Sequence, residues 1–289
     1  LLNTVKEELL EPKTNILLLA YTNRAIDEIC GKLVAEGIDF IRIGTRLSCS
    51  PAYREYMLSA QVRDCAKMEE LRQKLLSTRV FVGTTTALNA NLSLFQLKSF
   101  SLAVIDEASQ ILEPHLIGLL SAHQEGVPAI RKFVLIGDHK QLPAVVQQKP
   151  DVSRVQDALL NEILLTDCRL SLFERLLKKY RNNKNLTYLL TKQGRMHHDI
   201  ALFPNYTFYN NALEEVPRPH QNRALPALGM SGNGIVDLLA TRRVTFIAAR
   251  SPEASSSSDK VNQVEADIIA ATVVKIYEIE KESFDVNET

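Results

Sequence analysis

The sequence predicts an α/β fold, a mostly parallel sheet with helices on both faces. Three observations predict it. Short runs that are apolar at every position recur along the chain (Ile16–Ala20, Leu102–Ile105, Phe133–Ile136), as in strands buried on both faces. Longer stretches with apolar residues at helical spacing lie between them. Several of the runs stop abruptly at polar turns such as Asp106-Glu107 and Gly137-Asp138.

The elements follow in order. Residues 1–11 space Leu and Val at helical intervals until Pro12 ends the helix. Ile16–Ala20 is a strand, Ala25–Glu36 an amphipathic helix stopped at Gly37, and Phe40–Ile43 another strand. Residues 45–78 are rich in Arg, Glu, Gln and Lys; they read as a helical insertion packed on the main sheet, with one or two exposed helices between Tyr53 and Leu76. Val80–Val82 is a strand running into Thr84, Thr85 and Thr86, and the strands Leu102–Ile105 and Phe133–Ile136 follow. Helices are expected at about 152–164 and 170–181. The polar stretch RNNKN at 181–185 marks a boundary, with a first domain over 1–183 and a second over 184–289. In the second, Tyr188–Leu190 and Val244–Ala248 read as strands and 211–235 as a loop. Pro252–Ser258 reads as a Ser-rich linker and Asn262–Glu280 as a long helix.

Composition sets the class. A chain of 289 residues with 45% hydrophobic and 24% charged residues has enough apolar content for a true core. Lys+Arg and Asp+Glu are both 34, so net charge gives no general argument for a polyanionic partner, although a local basic groove is enough to hold a single strand. The four cysteines form no C-x-x-C pair, which argues against a zinc ribbon and fits a reducing compartment. No apolar run approaches the roughly 18–20 residues of a membrane helix. The chain reads as cytoplasmic or nuclear.

Two motifs carry chemistry. In Val104-Ile105-Asp106-Glu107-Ala108-Ser109-Gln110 an apolar strand runs into paired carboxylates. Ligands of open parallel sheets bind beyond the C-terminal strand ends. There Asp106 suits Mg²⁺ held through water, with the ion bridging phosphate oxygens, and Glu107 suits orienting or deprotonating an attacking water. A strand followed by a solvated acidic turn would look the same in isolation. In Phe133-Val134-Leu135-Ile136-Gly137-Asp138-His139-Lys140-Gln141-Leu142-Pro143 a second strand ends at a polar turn. Gly137 permits an unusual backbone angle or a close approach, and the neutral amide of Gln141 can donate to a phosphate oxygen or accept from water.

Together, DEAS and GDHKQLP resemble motifs II and III of superfamily 1 helicases, in the variant of the Upf-like and Dna-two-like branch. The remaining order agrees. Ala20-Tyr21-Thr22-Asn23-Arg24-Ala25-Ile26-Asp27 looks like motif Ia, and Gly83-Thr84-Thr85-Thr86-Ala87 like the Thr-rich motif that follows it. Gln193-Gly194-Arg195-Met196-His197 resembles the Q-x-R-M-H motif that opens the second motor domain, continued by Phe203-Pro204-Asn205 and Phe208-Tyr209. Asn262 with Glu265-Ala266 resembles the helix before motif V.

The resemblance implies a RecA-like motor domain of the P-loop NTPase fold, part of a second one, and an ATP-dependent helicase or translocase on single-stranded DNA or RNA. Its cofactors would be ATP and Mg²⁺, with ATP between the domains. Asp106 would hold the metal and Glu107 would activate water. Gly137, Asp138 and Gln141 would face the phosphates, with Gln141 reporting the third one. Arg195 would stabilise transition-state charge, in a loop positioned by Gln193. Thr22, Asn23, Thr84, Thr85 and Thr86 would contact the strand, although the same residues after strands also suit turns and helix N-caps. Movement would run 5′ to 3′. The adjacent His197 and His198 point in different directions and make a poor metal pair.

The sequence departs from the family in places. No G-x-x-x-x-G-K-[ST] occurs within it, and Gly31-Lys32 lacks the upstream Gly. The chain is therefore expected to begin just after that loop and to end before motifs V and VI, and to be inactive by itself. Gly194 stands where an aromatic is usual and His198 where Pro is usual. Two rival readings are a strand-binding module without turnover and a P-loop ATPase acting on something other than nucleic acid.

Overall fold

The computed structural model describes residues 1–63, 65, 67–225, 234–249 and 262–280. The chain divides into two compact units, Leu1–Tyr188 and Leu189–Thr289.

Unit 1 opens with helix α1 (Leu2–Leu9), strand β1 (Ile16–Ala20), helix α2 (Asn23–Ala35) and strand β2 (Ile41–Ile43). The inserted stretch has short 3₁₀ turns and helices α3 (Leu58–Gln61) and α4 (Met68–Ser77). Strand β3 (Val80–Thr84), helices α5 (Thr85–Asn89) and α6 (Leu94–Leu97), and strand β4 (Leu102–Asp106) follow. After a 3₁₀ turn over Ala108–Gln110 come helix α7 (Ile117–Leu120), a small hairpin of β5 (His123–Gln124) and β6 (Val127–Pro128), and strand β7 (Phe133–Leu135). Helices α8 (Pro150–Ser153), α9 (Ala158–Glu162) and α10 (Leu172–Tyr180) complete the unit.

The main sheet has the order β2-β3-β1-β4-β7, and every pair in it is parallel. Side chains alternate between the two faces, so each strand feeds two cores. Leu17, Leu19, Phe81, Ala103 and Ile105 pack with Leu88 of α5, Phe95 of α6, Leu119 of α7 and Leu172 of α10. Ile16, Leu18, Val80, Val82 and Val104 pack on the other face with Val5 of α1 and Ile26, Ile29 and Leu33 of α2. β1 is fully buried along its length because it lies at the centre with helices above and below. β7, at one edge, is only partly buried. The inserted stretch covers the other edge: Met57 bridges to Arg42 of β2, and Tyr56 stacks on Phe40 with ring centroids 4.5 Å apart. A covered edge is closed to pairing with another chain.

Unit 2 has two-residue parallel strands β8 (Lys192–Gln193) and β9 (Glu214–Glu215), with helix α11 (His198–Phe208) between them. A 3₁₀ turn over Pro219–Asn222 and helices α12 (Gly234–Thr241) and α13 (Gln263–Glu280) follow.

Four expectations need correction. The helix expected over 152–164 is broken. Arg154 is extended and bridges to Asp167, and Asp157 starts α9 afresh by accepting from the Leu160 N–H at 3.0 Å. Tyr188–Leu190 and Val244–Ala248 form no strand, since among the described residues no strand pairs with them. Residues 211–235, read as loop, contain β9, a 3₁₀ turn and the start of α12. The linker Pro252–Ser258 lies outside the described residues.

Candidate active site

The parallel register brings the candidate residues of unit 1 to one edge. Ala20 at the end of β1 is level with Thr84 of β3 and Asp106 of β4. Thr22 and Asn23 therefore follow β1, Thr84–Thr86 follow β3, Asp106-Glu107 follow β4, and Gly137-Asp138 follow β7, all at the C-terminal strand ends where such sheets bind ligands.

Asp106 is half-buried as the last residue of β4, and its Oδ1 accepts from the Glu107 N–H at 3.1 Å. Glu107 is left-handed, with φ 52° and ψ 36°, a conformation that costs an L-residue roughly 1–2 kcal/mol. The chain thus turns sharply at the second carboxylate, whose Oε2 accepts from Gln110 Nε2 at 3.3 Å. The turn is tied to the end of β7. The Ala108 N–H donates to Ile136 O at 2.8 Å, and the Asp138 N–H donates to Ser109 Oγ at 3.2 Å. Gly137 sits at this crossing. A Cβ there would lie 2.8 Å from Ser109 N and 3.3 Å from Ala108 N, too close for any side chain. Glycine serves here for close approach of two turns rather than for an unusual φ. Ser109, buried between them, escaped the sequence reading; its place directly after Asp-Glu-Ala was the only signal.

Asp138 organises its own turn by accepting from the Lys140 N–H at 2.9 Å and from Gln141 Nε2 at 3.1 Å. Gln141 is exposed and held by that bond.

The threonines divide into two kinds. Thr22 and Thr84 are N-caps, accepting from the Ala25 and Ala87 N–H groups, each at 3.2 Å. Thr85 is buried, with its hydroxyl shielded from the surface. Asn23 and Thr86 are exposed. Of the five, then, two hydroxyls carry the capping role and one lies inside the core.

In unit 2 the Gln193 amide folds the loop after it. Its Oε1 accepts from the Arg195 and Met196 N–H groups at 3.2 and 2.8 Å, and its Nε2 donates to Met196 O at 3.2 Å. Gln221, buried and missed by the sequence reading, braces the same loop by donating to Gln193 O at 3.0 Å. Arg195 is exposed and forms no ion pair among the described residues. His197 accepts the Asp199 N–H on Nδ1 and lies 3.0 Å from Arg223 O through Nε2, whereas His198 meets Glu215 at 2.6 Å. The two rings have separate partners.

The donor set suits Mg²⁺. That ion keeps several waters and takes one or two carboxylates beside phosphate oxygens. A carboxylate has about four acceptor positions, and at Asp106 one bond to the backbone leaves capacity for metal-bound water. Among the described residues no cluster of three or more His, Cys, Asp or Glu is placed to hold a metal. No helix among them is long and apolar enough to cross a membrane.

Two family models, each described as an AAA domain, match residues 64–149 and 168–287. The chain is 32% identical over 205 residues to the DNA replication ATP-dependent helicase/nuclease DNA2 of Homo sapiens, a match over 69% of this chain and 17% of that protein. It is 32% identical over 270 residues to the DNA replication ATP-dependent helicase/nuclease JHS1 of Arabidopsis thaliana, over 91% of this chain and 18% of that protein. To the DNA2 protein of Saccharomyces cerevisiae it is 29% identical, over 86% of this chain and 16% of that protein. The chain thus matches less than a fifth of the length of each of these relatives.

Proposed function

Because the chain belongs to the superfamily 1 helicases, in the Upf-like and DNA2-like branch, we propose that it forms part of a motor that couples Mg-ATP hydrolysis to movement on single-stranded DNA or RNA. One observation carries this reading: Asp106 and Glu107 stand together at the C-terminal end of a central parallel strand, at a left-handed turn clamped to the end of β7. Strained backbone of this kind persists where its surroundings over-determine it, and it clusters at functional sites.

Bound Mg²⁺ would neutralise charge on the phosphates of ATP. Asp106 would hold that ion, through water, with its carboxylate. Glu107 orients the attacking water and takes its proton, its position set by the turn and by Gln110. Gly137 lets the two turns meet, Asp138 shapes the second, and Gln141 presents its amide to the terminal phosphate. Arg195 carries a permanent, forked positive charge of the kind worth roughly 10³–10⁵ in rate in phosphoryl transfer, and Gln193 shapes its loop. The strand meets the edge at Thr22, Asn23 and Thr86 and at the backbone N–H groups around Thr84, with Thr85 supporting from inside. The identity of the relatives favours DNA as the strand.

Hydrolysis of ATP by the full-length protein, with and without single-stranded DNA and RNA, tests the reading. Turnover stimulated by a strand is expected. Tight strand binding with no turnover would replace it with the strand-binding module. Turnover indifferent to any strand would replace it with an ATPase of another kind. The 289-residue chain by itself is expected to show little or no turnover, since it carries no G-x-x-x-x-G-K-[ST] to cradle the β- and γ-phosphates.

A further inference from the structure

We propose that Arg175 is a positioning residue for the Asp106-Glu107 turn, acting through a buried grip on Glu113. The inference rests on the hydrolytic role given above to those two carboxylates.

The left-handed turn at Glu107 is held on one side by β7, as described. On its far side the chain continues through Ile111 and Leu112 to Glu113, and this stretch is fastened to the start of α10. Leu112 forms an antiparallel bridge with Ser171. The Glu113 N–H donates to Leu170 O at 3.4 Å, the longest of the ties. The Glu113 carboxylate takes two bonds from Arg175, from Nε at 2.6 Å and Nη2 at 2.5 Å. Arg175 Nη1 reaches Ile163 O at 2.8 Å. Both charged residues are more than nine-tenths buried, at 7% and 8% exposure.

A forked, two-bond pair fixes direction as well as distance. Lysine lacks that geometry. Burying two charges is costly, and well-packed apolar side chains of similar volume often give equal or greater stability. What the ion pair adds at this place is orientation. It locks the stretch leaving the carboxylates at a set angle to α10, whose own start is fixed by Ser171 Oγ accepting from the Glu174 N–H at 3.1 Å. The turn is therefore braced from two sides, by β7 and by α10. Ala108, Ile111 and Leu172 share one apolar cluster, and apolar packing is not directional.

Hydrogen exchange read by mass spectrometry separates positioning from simple stability. The 289-residue chain is compared with its Arg175→Lys and Arg175→Met variants and with the double variant Glu113→Met/Arg175→Met. The quantity read is the acceleration of exchange over residues 108–113 divided by that over β1. A ratio of about ten or more in all three variants is expected, because the brace is local. It should persist in the double variant even where the thermal midpoint returns to that of the unaltered chain. A ratio near one in the double variant would show that the pair only fills space, and would overturn the proposal. In the full-length protein, Arg175→Lys is expected to lower kcat for ATP while KM stays within about twofold; a change confined to KM would also overturn it. If the unaltered full-length protein shows no hydrolysis, the proposed function fails by itself, and the exchange ratio still decides whether Arg175 holds the turn.

Discussion

Glu107 and Gly137 show how two unlike residues define one piece of chemistry. Glu107 adopts a conformation that glycine would take more cheaply, so its carboxylate is what the position needs. Glu107→Gln keeps the size and the conformation. It is expected to change stability by only about 0.5 kcal/mol in thermal unfolding, while hydrolysis in the full-length protein falls to background. Gly137 has the opposite logic. A Cβ added there would meet backbone atoms of the carboxylate turn at 2.8 and 3.3 Å, and these can move only by opening that turn. Gly137→Ala is expected to cost roughly 1–3 kcal/mol, as overpacking does, and to reduce kcat in the same protein; unfolding that is unchanged within error would contradict this. At this scale the place of the carboxylates at a strand end was legible, because the apolar run stops at Asp-Glu. The sequence was less legible for Thr22 and Thr84. A hydroxyl after a strand suits a cap and a phosphate equally, and the structure gives both of them the cap.

At the scale of elements, the buried strands were plain and the short helices were not. Ile16–Ala20 and Leu102–Asp106 are apolar at nearly every position because helices cover both faces, and their short length points to strands rather than helices. The break at Arg154 and Asp157 depends on a bridge to Asp167 that only the folded chain reveals. The apolar run at Tyr188–Leu190 looked like a strand, but a strand also needs a neighbour. Polar side chains at the ends of elements make contacts that periodicity does not reveal. Lys98, after α6, donates to Leu76 O in the last turn of α4 at 2.7 Å, and burial pulls its pKa down to about 8. The unfolded chain holds this proton up to about 10.5, so between pH 8 and 10.5 unfolding takes up a proton and stability contributed at this site rises with pH. The thermal midpoint of the unaltered chain minus that of Lys98→Met is expected to increase across that range; a constant difference would contradict this. The buried pair between Glu113 and Arg175 is a second example. Arg175→Ala leaves a buried carboxylate without its partner and is expected to lower unfolding free energy by about 3–5 kcal/mol in urea denaturation.

The whole molecule is two units, and the candidate residues are distributed along the chain between them: the carboxylates and their clamp in Leu1–Tyr188, the arginine and its loop in Leu189–Thr289. The net charge of zero gave no hint of a nucleic-acid partner, because such a partner would meet a local edge rather than the average surface. The order of several motifs along the chain did carry that hint. What stayed hidden were the contacts that hold the motifs in place: Ser109, inside its motif, between two turns, Gln221 behind the Arg195 loop, and Arg175 behind the carboxylates. Each is an ordinary polar residue until the fold brings its partner close from elsewhere in the chain.

The most direct test of the central claim is ATP hydrolysis by the full-length protein beside its Glu107→Gln variant, with strand binding measured in parallel. Hydrolysis stimulated by single-stranded nucleic acid, lost in the variant while the strand still binds, is the predicted result. Equal hydrolysis by the two proteins would show that Glu107 does not activate the attacking water, and the account of this site would be wrong.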